Sequence, residues 1–221
     1  TVRHNITSEY FNVNVNGADV EIISEASIEG LQYYLSGTTT NGSFSLESDM
    51  PYEVILNNTE ITSLTNVPLN LSKNVERNII IANGTTNILS DSEDSDGKAV
   101  INSKGATNIS GFGSLTINAN KKHGISSDND INIDGATISI NHSADASKGL
   151  KSDCNIMITD GDVNIVSSGT LTLEALDLGY DATYCTSIGA DGNFEMRGGK
   201  LNITLPVSNE AGRGIKTDGD I

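Results

Sequence analysis

The chain has 221 residues, a net charge of −16, 5 % aromatic residues and no Trp. That length can bury a large core in one domain, while the acidity excludes a nucleic-acid backbone as partner, because phosphate binding needs clustered Lys and Arg. No run approaches the ~18 apolar residues of a membrane-spanning helix. The acidity fits solubility alone as well as a cation-binding or extracellular role.

Taken in order, the sequence reads as short strands. Phe11-Asn12-Val13-Asn14-Val15 alternates apolar and polar residues at period two. After the segments starting at Val20 and Leu31 come Ser43–Leu46, Tyr52–Leu56, Glu60–Thr62, Pro68–Leu71 and Asn78–Ala82, each bounded by Gly, Asn or Ser. No stretch offers apolar residues at helical spacing between capping signals. The acidic run Asp91–Gly97 lacks the spacing and closing Glu of an EF-hand loop and reads as a solvated turn.

From residue 99 onward one phrase repeats. Gly124-Ile125-Ser126-Ser127-Asp128 returns as Gly149–Asp153, Ser187–Asp191 and Gly214–Asp218, and Ala99–Lys104 is its first member. An apolar residue follows eight positions after each leading one (Ile109, Ile133, Ile158, Met196), and a glycine about ten after (Gly111, Gly135, Gly161, Gly198). Self-similarity at a period near 25 residues signals a solenoid rather than a sandwich or barrel. The expected fold is therefore all-β: a right-handed, single-stranded parallel β-helix over residues 1–221, one domain of roughly nine coils about 45 Å tall. The chain breaks off in mid-repeat at Ile221, and an open coil end exposes strand edges, so further coils or a cap are expected beyond it.

In such a stack Asp128, Asp153, Asp191 and Asp218 form a row at about 5 Å steps, headed by Lys104. Aligned carboxylates repel, and calcium, which takes 6–8 oxygen ligands, would relieve them. Asp145, Asp177 and Asp181 are further candidate ligands; the alternative is a solvated acidic ladder. A second column, Asp130, Asn155, Asn193 and Asp220, reads as a turn position, since Asn and Asp bond their own turns. Between Asp153 and Asp191 about a dozen extra residues, Glu174–Tyr184, are expected to loop out on one face. Cys154 and Cys185 either form one disulfide or stay unpaired. His4, His123 and His142 show no metal-ligand spacing and are expected to face solvent.

The segments Tyr34–Gly37, Val54–Ser63, Pro68–Leu71 and Asn83–Asp91, the Ile109–Ile117 pattern and the Gly-Ile-x-Ser-Asp phrases together resemble a bacterial secreted carbohydrate-binding domain family. Its right-handed parallel β-helix has a shape close to the family 9 pectate lyases. The likeness covers roughly residues 20–221. It implies a secreted or cell-surface monomer that binds acidic plant cell-wall polysaccharide, pectin or polygalacturonate and also cellulose, with bound calcium. It does not establish catalysis, and the expected role is non-catalytic binding. Where the family repeat often reads Asp-Gly-Ile-Lys, this chain has His123, Lys148 or Arg213 before the glycine. Two other functions stay open. One is a pectate lyase using calcium and a lysine base drawn from Lys151, Lys216 or Lys104. The other is an adhesive cell-surface rod. Lys151, Lys216, Tyr180 and Tyr184 are the candidate sugar contacts, with Tyr33, Tyr34, Tyr52 and Phe112 read as packing.

Overall fold

The computed structural model describes residues 8–205 and 212–221. Its strands follow one another around a three-walled coil. β1 (Phe11–Asn16) and β2 (Asp19–Ser24) form an antiparallel hairpin at the N-terminal end, and β3 (Leu31–Thr39) follows. β4 (Ser43–Ser48) and β5 (Tyr52–Ser63) make the next coil. Three coils of three strands come after: β6 (Leu69–Ser72), β7 (Arg77–Ile81), β8 (Thr86–Asp91); β9 (Ala99–Ser103), β10 (Thr107–Gly111), β11 (Ser114–Ala119); β12 (His123–Ser127), β13 (Ile131–Asp134), β14 (Thr137–His142). β15 (Lys148–Ser152), β16 (Ile156–Ile158) and β17 (Asp162–Ser167) lead into an antiparallel ribbon, β18 (Thr172–Leu176) and β19 (Gly179–Thr183). β20 (Cys185–Ala190), β21 (Phe194–Met196) and β22 (Lys200–Thr204) resume the coil, and β23 (Gly212–Thr217) begins the last.

Wall A runs β1-β2-β4-β6-β9-β12-β15-β20-β23, parallel from β2 onward. Walls B and C are one sheet joined through β5, whose first half pairs with β7 and whose second half pairs with β8. The two short strands expected at Tyr52–Leu56 and Glu60–Thr62 are thus one strand carried around a corner, with Asn58 at φ 53°. Eight wall-A strands run in parallel, about one coil fewer than the roughly nine expected. The terminal hairpin and the ribbon consume residues without adding a turn. Among the described residues no helix is long and apolar enough to cross a membrane.

The repeats set the register. Val20, Phe44, Leu69, Ile101, Ile125, Leu150, Ile188 and Ile215 pair in succession down wall A. The six between Val20 and Ile215 are buried, and each such side chain contributes about 2 kcal/mol on leaving water. Ile109, Ile133, Ile158 and Met196 pair in the same way in wall B, the three isoleucines buried and Met196 exposed. The corner between walls B and C is turned by Gly111, Gly135, Gly161 and Gly199, all with positive φ. A side chain at Gly111 would also meet the Ile81 carbonyl, 2.1 Å from the Cβ position. In the last coil Gly199, not Gly198, takes the left-handed conformation.

Buried polar groups tie the corners. Arg77, fully buried, donates to the carbonyls of Leu71 (2.9 Å), Lys73 (2.6 Å) and Val75 and to Ser103 Oγ (2.6 Å), with its guanidinium 5.6 Å from the centre of the Tyr52 ring. Tyr52 meets Tyr33 edge-on at 5.9 Å, so both are packing residues. The histidines depart from expectation. His142 is 1 % exposed, with Nδ1 2.7 Å from Ser147 Oγ and Nε2 2.5 Å from Ser167 Oγ. His123 is 5 % exposed, and its Nδ1 accepts the Lys148 backbone N–H at 2.9 Å. The His123 ring stands in for a backbone acceptor, and both His142 nitrogens are met by hydroxyls, so each can be buried without loss of its hydrogen bonds. His4 lies outside the described residues.

Candidate functional site

Wall A presents two columns of outward side chains over its C-terminal half. One is Asn102, Ser126, Lys151, Gly189 and Lys216. The other contains Lys148, Thr186 and Arg213, with His123 one coil earlier. Alternation puts the first column opposite the buried isoleucine column. The second stands two residues before that column and reaches the outer face because the ladder is interrupted at the residue between, where a Cβ would point inward, 2.7 Å from Ile140 Cγ2 at Gly124 and 2.7 Å from Ile165 Cγ2 at Gly149. Gly189 matters here. A Cβ there would lie 2.6 Å from Lys148 Cδ and 2.7 Å from Cε, so the missing side chain leaves a notch in which the Lys148 stem lies flat. Half-buried Lys148 has its pKa lowered, first by burial and then by the like charge of Lys151, with Asp191 opposing and Lys216 and Lys122 adding to the shift. The same lysine field, added to a dominant burial effect, holds His123 down to about 3.

The predicted aspartate row stands at the turn between walls A and B. Asp128, Asp153, Asp191 and Asp218 each donate a backbone N–H to the coil before, at 3.0–3.2 Å. Their carboxylates are not left facing one another. Lys104 Nζ lies 2.7 Å from Asp128, Lys151 pairs with Asp153, and Lys216 pairs with Asp218. Asp191 is the member with no lysine in ion-pair range among the described residues. Exposed pairs of this kind are worth under about 1 kcal/mol each, yet they offset the repulsion that made calcium attractive. The second column does stand at a turn, but it bonds from coil to coil instead of within its own turn: Asn155, Asn193 and Asp220 each donate a backbone N–H to the side-chain oxygen one coil before (Asp130, Asn155, Asn193), at 2.8–2.9 Å.

Asp145 and Asp181 lie elsewhere. Asp145 is in the turn between walls C and A, where Oδ1 accepts Thr170 N–H and Oγ1 at 2.7 Å, and Asp181 is on the ribbon opposite Glu174. Strand β15 separates Asp145 from Asp153 by about 13 Å at about 3.3 Å per residue, so these carboxylates do not share a site with the aspartate row. Among the described residues no three Asp, Glu, His or Cys side chains are grouped to hold a metal. Asp91 of the acidic run is buried and accepts the Asn120 and Lys121 N–H groups at 2.6 and 3.2 Å, a structural cap. Cys154 and Cys185 are free thiols.

Residues 16–217 match the family of carbohydrate-binding domain-containing proteins. The chain belongs to this family. A carbohydrate-binding domain-containing protein of Acetivibrio thermocellus is 29 % identical over 141 residues, 58 % of this chain and 49 % of that protein, so the match spans about half the relative's length. The solved structure of a polysaccharide lyase-like protein from C. thermocellum, a gadolinium derivative, superposes with a TM-score of 0.62 at 20 % identity. It covers 91 % of this chain and 92 % of that one, and it supports the parallel β-solenoid.

In this carbohydrate-binding domain the candidate tyrosines fall on the inserted segment, which is the ribbon. Tyr180 is 71 % exposed near its tip. Tyr184, at its base, has its ring centre 3.6 Å from the Arg213 guanidinium carbon, tying the ribbon to the lysine-bearing wall. Tyr34 and Phe112 are exposed at 68 % and 80 % but lie off wall A, on β3 and at the Gly111 corner. Lys148 was missed in the sequence because it precedes the repeated phrase. The signal available was the reversed charge at that position.

Proposed function

We propose that the chain binds acidic polysaccharide, polygalacturonate-like chains foremost, along the outer face of wall A without transforming it. The observation that carries this reading is the crowding of Lys148, Lys151 and Lys216 on one face of a chain with a net charge of −16. Asp153 and Asp218 offset part of the repulsion among these lysines, but Lys148 makes no ion pair among the described residues, and uronate carboxylates laid across the three would supply the missing counter-charge. The family and the solenoid support a polysaccharide partner. The uronate preference is our own reading of the charge.

Calcium belongs to the same proposal only as a bridging ion at the ligand, because the aspartates do not converge into a cage and three of the four are paired with lysine. Co-sedimentation with insoluble polygalacturonate, with calcium and again with a chelator, tests both points. Retention in both conditions that weakens with salt supports direct lysine contact; retention with calcium alone restores the bridged reading; no retention in either sinks the acidic-glycan function. A lyase reading gains one observation, the lowered pKa of Lys148, since a lysine base must be partly deprotonated near neutrality. Ultraviolet absorbance of an unsaturated product from polygalacturonate across pH 7–10 would decide for it.

A further inference from the structure

The ribbon β18–β19 carries the densest exposed apolar surface of the described chain. Its register sets Leu173 opposite Ala182 and Ala175 opposite Tyr180, and on the other face Glu174 opposite Asp181. At period two, Tyr180, Ala182 and Tyr184 share a face with Leu173 and Ala175. Leu173 is 59 % and Tyr180 71 % exposed. A two-stranded ribbon standing alone is marginal in water, and an apolar patch kept exposed marks an interaction surface. The direction of this face follows from Tyr184, whose ring lies against Arg213. Arg213 stands in the outward column of Lys148 and Thr186. The apolar face of the ribbon therefore borders the lysine face at the edge where the ribbon leaves the solenoid.

We propose that this ribbon face is the side wall of the polysaccharide site, packing against the C–H faces of pyranose rings whose carboxylates lie on Lys148, Lys151 and Lys216. The inference rests on the acidic-polysaccharide reading above. A sugar chain offers a charged or hydroxylated edge together with an apolar ring face, which matches a cationic floor beside an apolar wall. Tyr180 suits the wall because its ring gives flat apolar area and its hydroxyl stays wet. A second copy of the chain fits less well. Two bodies of charge −16 repel, and the ribbon, residues 172–183, supplies fewer residues than the roughly 20–30 a side of a stable interface.

The two parts of the site differ in their response to salt, since screening weakens the lysine contacts and spares the apolar ones. The experiment is calorimetric titration of oligogalacturonate into three proteins, at low salt and at about 0.5 M NaCl. They are the wild type, Leu173→Thr/Tyr180→Thr, and a variant with residues 172–183 replaced by a short Asn-Gly turn. Threonine keeps the strand propensity of the ribbon, and the deletion guards against a misformed one. Expected is an affinity loss of about tenfold at both salt concentrations in both variants, with the melting temperature unchanged. Wild-type affinity in both variants overturns the proposal while leaving the lysine reading intact. Sedimentation showing a wild-type dimer that the variants lose also overturns it, by making a second copy the occupant. Absence of wild-type binding at low salt overturns the acidic-polysaccharide reading, and this inference falls with it.

Discussion

Two neighbouring columns of wall A are built on the same backbone and pair in the same register, yet they behave differently along the solenoid. The inward one stays apolar from Val20 and Phe44 to Ile188 and Ile215. The outward one begins Glu21, Ser45, Asn70, Asn102 and ends Ser126, Lys151, Gly189, Lys216. Early on it is acidic and then amide-rich, with Asn102 donating to Asn70 Oδ1 at 2.8 Å, and late on it is cationic. The core dictates the first column, because a polar residue there would be buried without a partner. Nothing in the packing dictates the second. Its change of sign is the feature on which the proposed acidic-polysaccharide site rests.

The sharpest contrast is between Leu150 and Lys151, adjacent in sequence and on opposite faces. Leu150→Ala opens a hole in a fully buried column and should cost about 2–5 kcal/mol of folding stability, read by denaturant unfolding. Polysaccharide affinity per folded molecule should not change. If Leu150→Ala instead weakened binding with little loss of stability, the division between the columns would collapse.

Next in size is a pH effect confined to the inner structure. His142 is held down to about 4 by burial, against about 6.5 in the unfolded chain. Above pH 6.5 neither state is protonated and there is no contribution. Between 6.5 and 4 the unfolded chain takes up the proton and the folded one does not, so stability falls as pH falls. Below 4 the effect levels off, at about 3 kcal/mol in all. His123 acts in the same sense over a window reaching to about 3. Comparing unfolding of wild type and His142→Gln at pH 7 and pH 4.5 isolates the term: the variant should lose less stability on acidification. An equal loss in both would show that His142 is protonated in the folded chain.

Much of this architecture was legible because a solenoid writes its register as a repeat. The pairing Ile101–Ile125–Leu150–Ile188–Ile215, the aspartate row and the Asn/Asp column beside it could be aligned from spacing alone, although that column's bonds run from coil to coil and not within its own turns. Burial of the histidines could not, since Ser167 reaches His142 only from the next coil and Ser147 only through the fold of the turn after β14, and a lone His beside Lys and Asn looks solvated. Nor could the lysine pairing of the row: Lys151 and Lys216 precede their aspartates by two positions, but whether they lean toward them depends on side-chain direction. The Asp145 and Asp181 ligand candidates failed as partners of Asp153 for a plainer reason. Sequence proximity to the phrase hid that a whole strand intervenes.

On the outer column, Lys148→Ala/Lys151→Ala/Lys216→Ala should reduce polygalacturonate affinity about a hundredfold at low salt and flatten its salt dependence. The melting temperature should fall only slightly, because exposed pairs contribute little and the lysine repulsion removed is replaced by repulsion between the unpaired Asp153 and Asp218 and their neighbours. Retained, salt-dependent binding would move the site off wall A altogether.

The smallest effect expected tests how the cluster is held rather than whether it matters. Gly189→Ala places a methyl where the Lys148 stem lies, 2.6 Å from Cδ and 2.7 Å from Cε. The neighbour is a flexible side chain rather than backbone, so the stem can lift, and stability should change by less than about 1 kcal/mol. Lifting it frees the ammonium from the position between Lys151 and Lys216, and affinity should fall about three- to fivefold. Adding Lys148→Ala to Gly189→Ala should then cost less than Lys148→Ala costs the wild type, the coupling expected of two residues in contact. Strict additivity of the two would mean that the notch does not position Lys148, and that the cluster acts as a diffuse field instead of an arranged site.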